Sequence, residues 1–198
     1  MMLIFNKWET GKITVQDPGL KRYINLQPII VPKTGGRNVK VRFWRNKYHI
    51  IERLINKMMG PGHRGKKHKT TSGKCTGKSQ KNYAIVKKAF EIIEDKTKKN
   101  PVEVFVKAVE NAAPREEITT IEYGGARYPQ TIECSPQRRI DITLKQMIQG
   151  AYQRSYGKKK SMYVALAEEI MAAYNMDQHA SQAISKKLEF ERQADASR

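Results

Sequence analysis

The 198-residue sequence predicts a mainly α fold: about six helices with one inserted β-hairpin, a basic N-terminal extension and a basic Gly/Lys-rich loop. Three observations predict it. Apolar residues recur at helical spacing through most of the chain beyond residue 46. The period switches to two over "ITTIEYGGARYPQTIEC" (118–134). The charge is lopsided: residues 1–99 hold 24 Lys and Arg against 6 Asp and Glu, whereas residues 100–198 hold 14 against 13. The chain therefore divides into an extension (1–45) and a helical domain (46–198) carrying a basic insertion (60–81) and the hairpin.

In the extension, "DPGL" (17–20) and "PKTGG" (32–36) are turn punctuation around the short apolar piece "INLQPIIV". Such a segment drapes over a neighbour rather than packing independently. In "RNKYHIIERLINKMM" (45–59), Ile50, Ile51, Leu54, Ile55 and Met58 fall on one helical face, with Asn46 as the expected cap and Gly60-Pro61 as the stop. Residues 60–81 then hold seven Lys/Arg, five Gly, no acid and only Cys75 from the apolar set. They cannot bury enough surface to offset the entropy of ordering, so a partner must order them.

The next helix, Asn82 to Thr97, carries Tyr83, Val86, Phe90 and Ile93 as a stripe. "KNPVEVFVKAVENAAP" (99–114) starts with Asn100 as N-cap, Pro101 at the first helical position and Glu103 at the capping-box position. The alternating segment turns at Gly124-Gly125, which reads as a hairpin. A two-stranded ribbon is marginal alone, so it either packs on helices or projects toward a partner. Arg127, Tyr123 and Tyr128 near the tip favour projection, because such side chains stack on bases.

Ser135-Pro136 repeats the cap-then-proline device and opens a helix to Tyr156 lined by Ile140, Leu144, Met147, Ile148 and Ala151. Arg138 and Arg139 in its first turn oppose the helix dipole and call for an anionic partner, phosphate or an acid such as Asp141. "YGKKKS" (156–161) is a basic loop, Ser161 can cap a helix through Tyr174, and a last helix starts near Gln178 and ends in the polar tail "RQADASR". Met162, Met171 and Met176 read as core fillers.

A formal charge of +19 points to a polyanionic partner. An ordinary solvated surface intersperses both signs, and this sequence does not. The longest apolar run, Met162–Ala167, is six residues, far short of the roughly 18 of a membrane span. "MMLIFNKWETGK" carries no apolar signal core, so a cytoplasmic location is expected. Two cysteines, Cys75 and Cys134, make no disulfide framework and should stay reduced.

Gly77-Lys78-Ser79 matches the end of a nucleotide-binding P-loop. That loop needs four residues between its glycines, yet Gly73 precedes Gly77 by only Lys74, Cys75 and Thr76, and Ser72 stands where glycine should. No aliphatic run precedes it to form the required strand, so a P-loop-like nucleotide hydrolase is the disfavoured alternative. His63, His68 and Cys75 could supply three metal ligands, but the fourth that structural zinc requires is missing nearby. A helix-turn-helix DNA regulator would need a short turn where this chain has the basic insertion.

The strings "DPGLKRYINLQPIIVPKTGG", "IIERLINKMM", "NPVEVFVKAVENAAPREE", "YGGARYPQTIECSPQRRIDITL", "KKKSMYVALAEEI" and "AISKKLEFERQADASR" together resemble the small-subunit ribosomal protein S-seven family in its archaeal/eukaryotic form, over essentially the whole chain. The long N-terminal extension and the Gly/Lys insertion depart from bacterial members, so bacterial contacts are not transferred there.

The resemblance implies a non-enzymatic, cofactor-free constituent of the small ribosomal subunit, located in cytoplasmic ribosomes. It implies a primary binder of small-subunit (16S-like) rRNA that organises the subunit head and lets other head proteins join. The residues it implies as rRNA-facing are Lys40, Arg42, Arg45 and Lys47, then Arg64, Lys66, Lys67, Lys69, Lys74, Lys78 and Lys81, then Arg138 and Arg139. Lys158, Lys159 and Lys160 join them by charge. The hairpin (Tyr123, Gly124, Gly125, Arg127, Tyr128) and the C-terminal helix are implied to lie near mRNA and exit-site tRNA.

Overall fold

A computed structural model describes residues 2–62 and 75–197. Along these residues run α1 (Pro18–Lys21), two 3-10 turns (Arg37–Val39 and Trp44–Lys47), α2 (Ile50–Lys57), α3 (Ser79–Thr97), α4 (Pro101–Ala112), the antiparallel hairpin β1 (Glu116–Tyr123) and β2 (Ala126–Glu133), α5 (Pro136–Ser155), α6 (Met162–Tyr174) and α7 (Gln182–Ala196). The mainly helical class with one inserted hairpin is as expected from the sequence.

Local chemistry accounts for several boundaries. Asn100 Oδ1 accepts from the Val102 N–H at 3.0 Å, and Pro101 sits where its missing N–H costs nothing. Ser135 and Ser161 occupy cap positions, but neither side chain makes the capping hydrogen bond. Two other starts differ from expectation because longer-range bonds win. α2 is capped by His49 and not Asn46: the Asn25 amide donates to the Lys47 carbonyl at 2.7 Å and the Ile50 N–H donates to the Asn25 carbonyl at 3.1 Å, which keeps Tyr48 extended.

α7 begins at Gln182, four residues after Gln178. Asp177 Oδ1 accepts from the N–H groups of His179 and Ala180, and this turn leaves Ser181 as the cap, its hydroxyl accepting from the Ile184 N–H. The "RQADASR" segment expected as a polar tail is helical to Ala196, with Ala194 fully buried. Met176 is 63% exposed and fills no core; Met162 and Met171 pack at the core's edge.

α6 lies at the centre, packed on α3, α4 and α5, and α7 covers α5 and the hairpin base. The N-terminal segment is part of this core. Ile4, Phe5, Trp8, Leu20 and Ile24 are all buried. Phe5 and Trp8 meet Phe90 edge-to-face at centroid distances of 6.3 and 6.0 Å, and Phe90 meets Phe105 at 5.8 Å. Each such ring contributes about 1.5–3 kcal/mol by burial, so the first 24 residues stabilise the helices they cross.

Candidate nucleic-acid interface

Between Val31 and Tyr48 the chain arches over α2 and leaves a cleft of 1120 Å³. The arch is pinned at both ends. At one end, the N–H and hydroxyl of Thr34 both donate to Glu52 Oε1 at 2.8 Å. At the other, Asn25 holds the Lys47 carbonyl. Gly35 and Gly36, at φ +65° and +82°, make the sharp bend between them.

Lys40, Arg42, Arg45 and Lys47 are all exposed on this arch. Arg45 also donates to Asp141 Oδ2 at 3.0 Å, while Asp141 Oδ1 accepts from the buried Arg53 at 3.3 Å. One carboxylate from α5 thus fixes two guanidiniums on the cleft wall. Lys57 faces the same cleft; burial lowers its pKa, and the charges of Arg45, Lys145 and Arg53 lower it further against the opposing pull of Asp141. An added anion would relieve that crowding.

The start of α3 closes the cleft: Gly77, Ser79 and Gln80 line it. Lys78 and Lys81 are exposed there, and the α3 N-terminus has no side-chain cap. The first turn of α3 thus starts beside two exposed lysines, and a helix N-terminus with such neighbours is suited to phosphate. Gly77 takes φ +69°, and both strands of the described residues follow this turn in the chain. Arg64, Lys66, Lys67, Lys69 and Lys74, together with His63 and His68, lie outside the described residues. Cys75 is buried at the turn, not solvated as a loop position would be, and its carbonyl accepts from the Asn82 amide at 2.9 Å.

The two arginines in the first turn of α5 part company. Arg138 is 57% exposed and forms a forked pair with Glu117, Nη2 to Oε2 at 2.7 Å and Nε to Oε1. Arg139 is 9% exposed; its Nη2 donates to Asp17 Oδ2 at 2.8 Å and its Nε to the Pro114 carbonyl at 3.0 Å. The dipole conflict noted in the sequence is thus met inside the fold by Glu117 and Asp17, while Asp141 serves Arg45 and Arg53.

Lys158 and Lys159 are exposed beyond α5, and Lys160 pairs with Glu168. Gly124 and Gly125, at φ +59° and +82°, form the hairpin tip, with Tyr123 82% and Tyr128 58% exposed. Arg127 faces Glu122 across the strands at 3.5 Å. The hairpin base is fixed on α7 by Thr131, whose hydroxyl donates to the Ala194 carbonyl at 2.6 Å. The ribbon therefore both packs, at its base, and projects, at its tip.

Against known proteins, the model of the family described as ribosomal protein S7p/S5e matches residues 20–198. The chain belongs to this family. It is 54% identical over 197 residues to the small ribosomal subunit protein uS7 of Nanoarchaeum equitans, covering 100% of this chain and 99% of the relative. It is 47% identical over 192 residues to that of Methanothermobacter thermautotrophicus, with 97% of each covered. With the protein of the same name from Methanothrix thermoacetophila it shares 43% over 197 residues and the whole of both chains.

In this member of the S7p/S5e family, the cleft gathers the arch, the start of α3 and the first turns of α5, where Gln137 and Asp141 line it. It leaves the hairpin and Lys158–Lys160 apart. It also adds cationic residues the sequence reading passed over: Lys33, Arg53 and Lys57. Lys33 sits beside the "TGG" turn and could have been read as part of the arch by charge. Arg53 and Lys57 stand on the polar side of α2, where helical periodicity alone says only that they avoid the core. Among the described residues no group of three or more His, Cys, Asp or Glu could hold a metal ion, and no helix is long and apolar enough to cross a membrane.

Proposed function

We propose that this chain is a structural, non-catalytic constituent of the small ribosomal subunit, used in translation, that binds small-subunit rRNA directly and organises assembly of the subunit head. One observation carries the reading: Lys33, Arg42 and Arg45 of the arch and Arg53 and Lys57 of α2 line one cleft, with Lys40 and Lys47 exposed on the same arch and Lys78 and Lys81 exposed at the start of α3 that closes it. Family membership and the names of the archaeal relatives support it. Arg138 and Lys158–Lys160 extend the contact, and so do the cations of 64–74. Arg139, with its donors engaged on Asp17 and Pro114, acts by holding the start of α5 in place.

The projecting tip with Tyr123, Arg127 and Tyr128, and α7 behind it, lies near mRNA and exit-site tRNA in this reading, and other head proteins join around it. Co-sedimentation with small subunits in a gradient tests it; recovery only in a free soluble pool would sink the proposal. Binding to rRNA should fall with salt by roughly 0.7–0.9 in the log–log slope per phosphate neutralised.

A further inference from the structure

The arch carries more apolar surface than a solvated basic segment needs. Val31, Val39, Val41, Phe43 and Trp44 are 54%, 73%, 43%, 63% and 39% exposed. Exposed apolar groups gathered in one place and ringed by charge mark a binding surface. Phe43 is the sharpest case. It sits at φ +67°, a left-handed conformation costly for a bulky side chain, and with 63% of its surface exposed it gains little burial to offset that cost.

Each ring also carries a cation. The Arg42 guanidinium lies 4.6 Å from the Phe43 centroid, and the Lys47 ammonium lies 3.6 Å from that of Trp44. The other tryptophan, Trp8, is buried. We propose that Phe43, which lines the cleft, and Trp44, next to it on the arch and outside the cleft lining, form a stacking clamp for unpaired RNA bases, so that the arch and its cleft take a single-stranded or junction segment in preference to an A-form duplex. This rests on the rRNA-binding reading and specifies which form of RNA the cleft accepts.

Three features favour that occupant. Between Asp17 and Glu52 the chain has eight Lys/Arg and no acid, which suits a phosphate backbone. The cleft's 1120 Å³ exceeds the roughly 300–1,000 Å³ of small-molecule sites and admits a length of strand. Aromatic rings beside cations hold splayed bases, whereas a duplex keeps its bases stacked on one another and presents only phosphates and a shallow minor groove. An acidic peptide would match the charge and leave the rings unused.

The test uses the full chain with a single-stranded oligoadenylate and a blunt RNA duplex of equal length. Trp8 is buried, so quenching of tryptophan emission on binding reports Trp44. The single strand should quench it and the duplex should not. With labelled RNA, Phe43→Leu and Trp44→Leu should each weaken single-strand binding roughly 5- to 150-fold, leaving the salt slope and the duplex affinity unchanged. Phe43→Tyr, which keeps the ring, should bind like the parent. Both positions are exposed, and leucine at position 43 carries the same backbone conformation as phenylalanine, so circular dichroism should match the parent. If both leucine variants bind the single strand as the parent does, with the salt slope intact, the stacking clamp is overturned and the rRNA reading stands. Quenching by polyglutamate equal to that by RNA also overturns it. Absence of salt-dependent binding to either RNA removes both.

Discussion

The Arg139 guanidinium donates to Asp17 Oδ2 at 2.8 Å, joining the first turn of α5 to the cap of α1 across 122 residues of chain. The other oxygen of Asp17 accepts from the Gly19 N–H at 2.8 Å, so a single carboxylate serves a helix cap and a nearly buried cation. Asp17→Ala would leave Arg139 short of its anion and uncap α1. We expect a loss of roughly 2–4 kcal/mol, read from urea denaturation, with RNA affinity of the folded fraction retained. Burial alone would raise the Asp17 pKa, but the bonds from Arg139 and Gly19 outweigh it and the net shift is downward from 3.8. This stabilisation is therefore complete above about pH 4 and is lost as pH falls through the lower native value.

His49 sets a second pH dependence, in a higher window. Its Nδ1 accepts from the Ile51 N–H at 3.2 Å, which only an unprotonated nitrogen can do, and burial pushes its pKa from 6.5 to about 4. The unfolded chain therefore takes up the proton first. Stability from this group is full above pH 6.5 and declines by roughly 3 kcal/mol as pH falls toward 4. His49→Asn keeps a capping acceptor that does not titrate. The stability difference between the two proteins, followed by denaturant titration, should fall across this window and be flat above it.

Gly150 on α5 marks a close contact with α6 and α7. A Cβ there would lie 2.9 Å from the Gln182 Cβ and 3.0 Å from the Glu169 carboxylate. Glu169 is fully buried and cannot step aside, since it accepts from Arg154, from the Ser181 hydroxyl and from the Ala183 N–H. Gly150→Ala should cost about 1–3 kcal/mol by overpacking, despite the better helix propensity of alanine, and should lower the thermal midpoint. An unchanged midpoint would mean that α7 can shift without loss.

Exposed and buried arginines should separate cleanly by assay. Arg42→Gln or Lys47→Gln should flatten the rRNA salt dependence by about 0.7–0.9 each with the melting temperature unchanged. Arg139→Gln should lower the melting temperature and leave the slope as it was. A slope change from Arg139→Gln in folded protein would put that side chain in the RNA contact after all.

Much of the helical skeleton was legible because its signals are local. The Asn100-Pro101 start, the Gly124-Gly125 turn and the apolar faces of α3, α4 and α5 each depend on residues within a turn or two of one another. The errors arose where a distant group outbid a local one. Asn46 lost its cap role to His49 because Asn25 pulls the chain extended before α2. The dipole conflict at Arg138 and Arg139 was visible, but nothing in the sequence announces that Glu117 and Asp17 resolve it.

By itself, the sequence determined the helical class, the hairpin and its turn, the concentration of positive charge in the first half and the family resemblance. These follow from periodicity, caps and composition, which are properties of neighbouring residues. Only the tertiary structure decided that Phe5 and Trp8 belong to the core beside Phe90, that Arg139 is a tie and Arg138 a half-exposed fork, and that the arch, α3 and α5 share one cleft. Those outcomes depend on contacts between residues tens of positions apart, where burial and ion pairing select among partners that local pattern leaves equivalent.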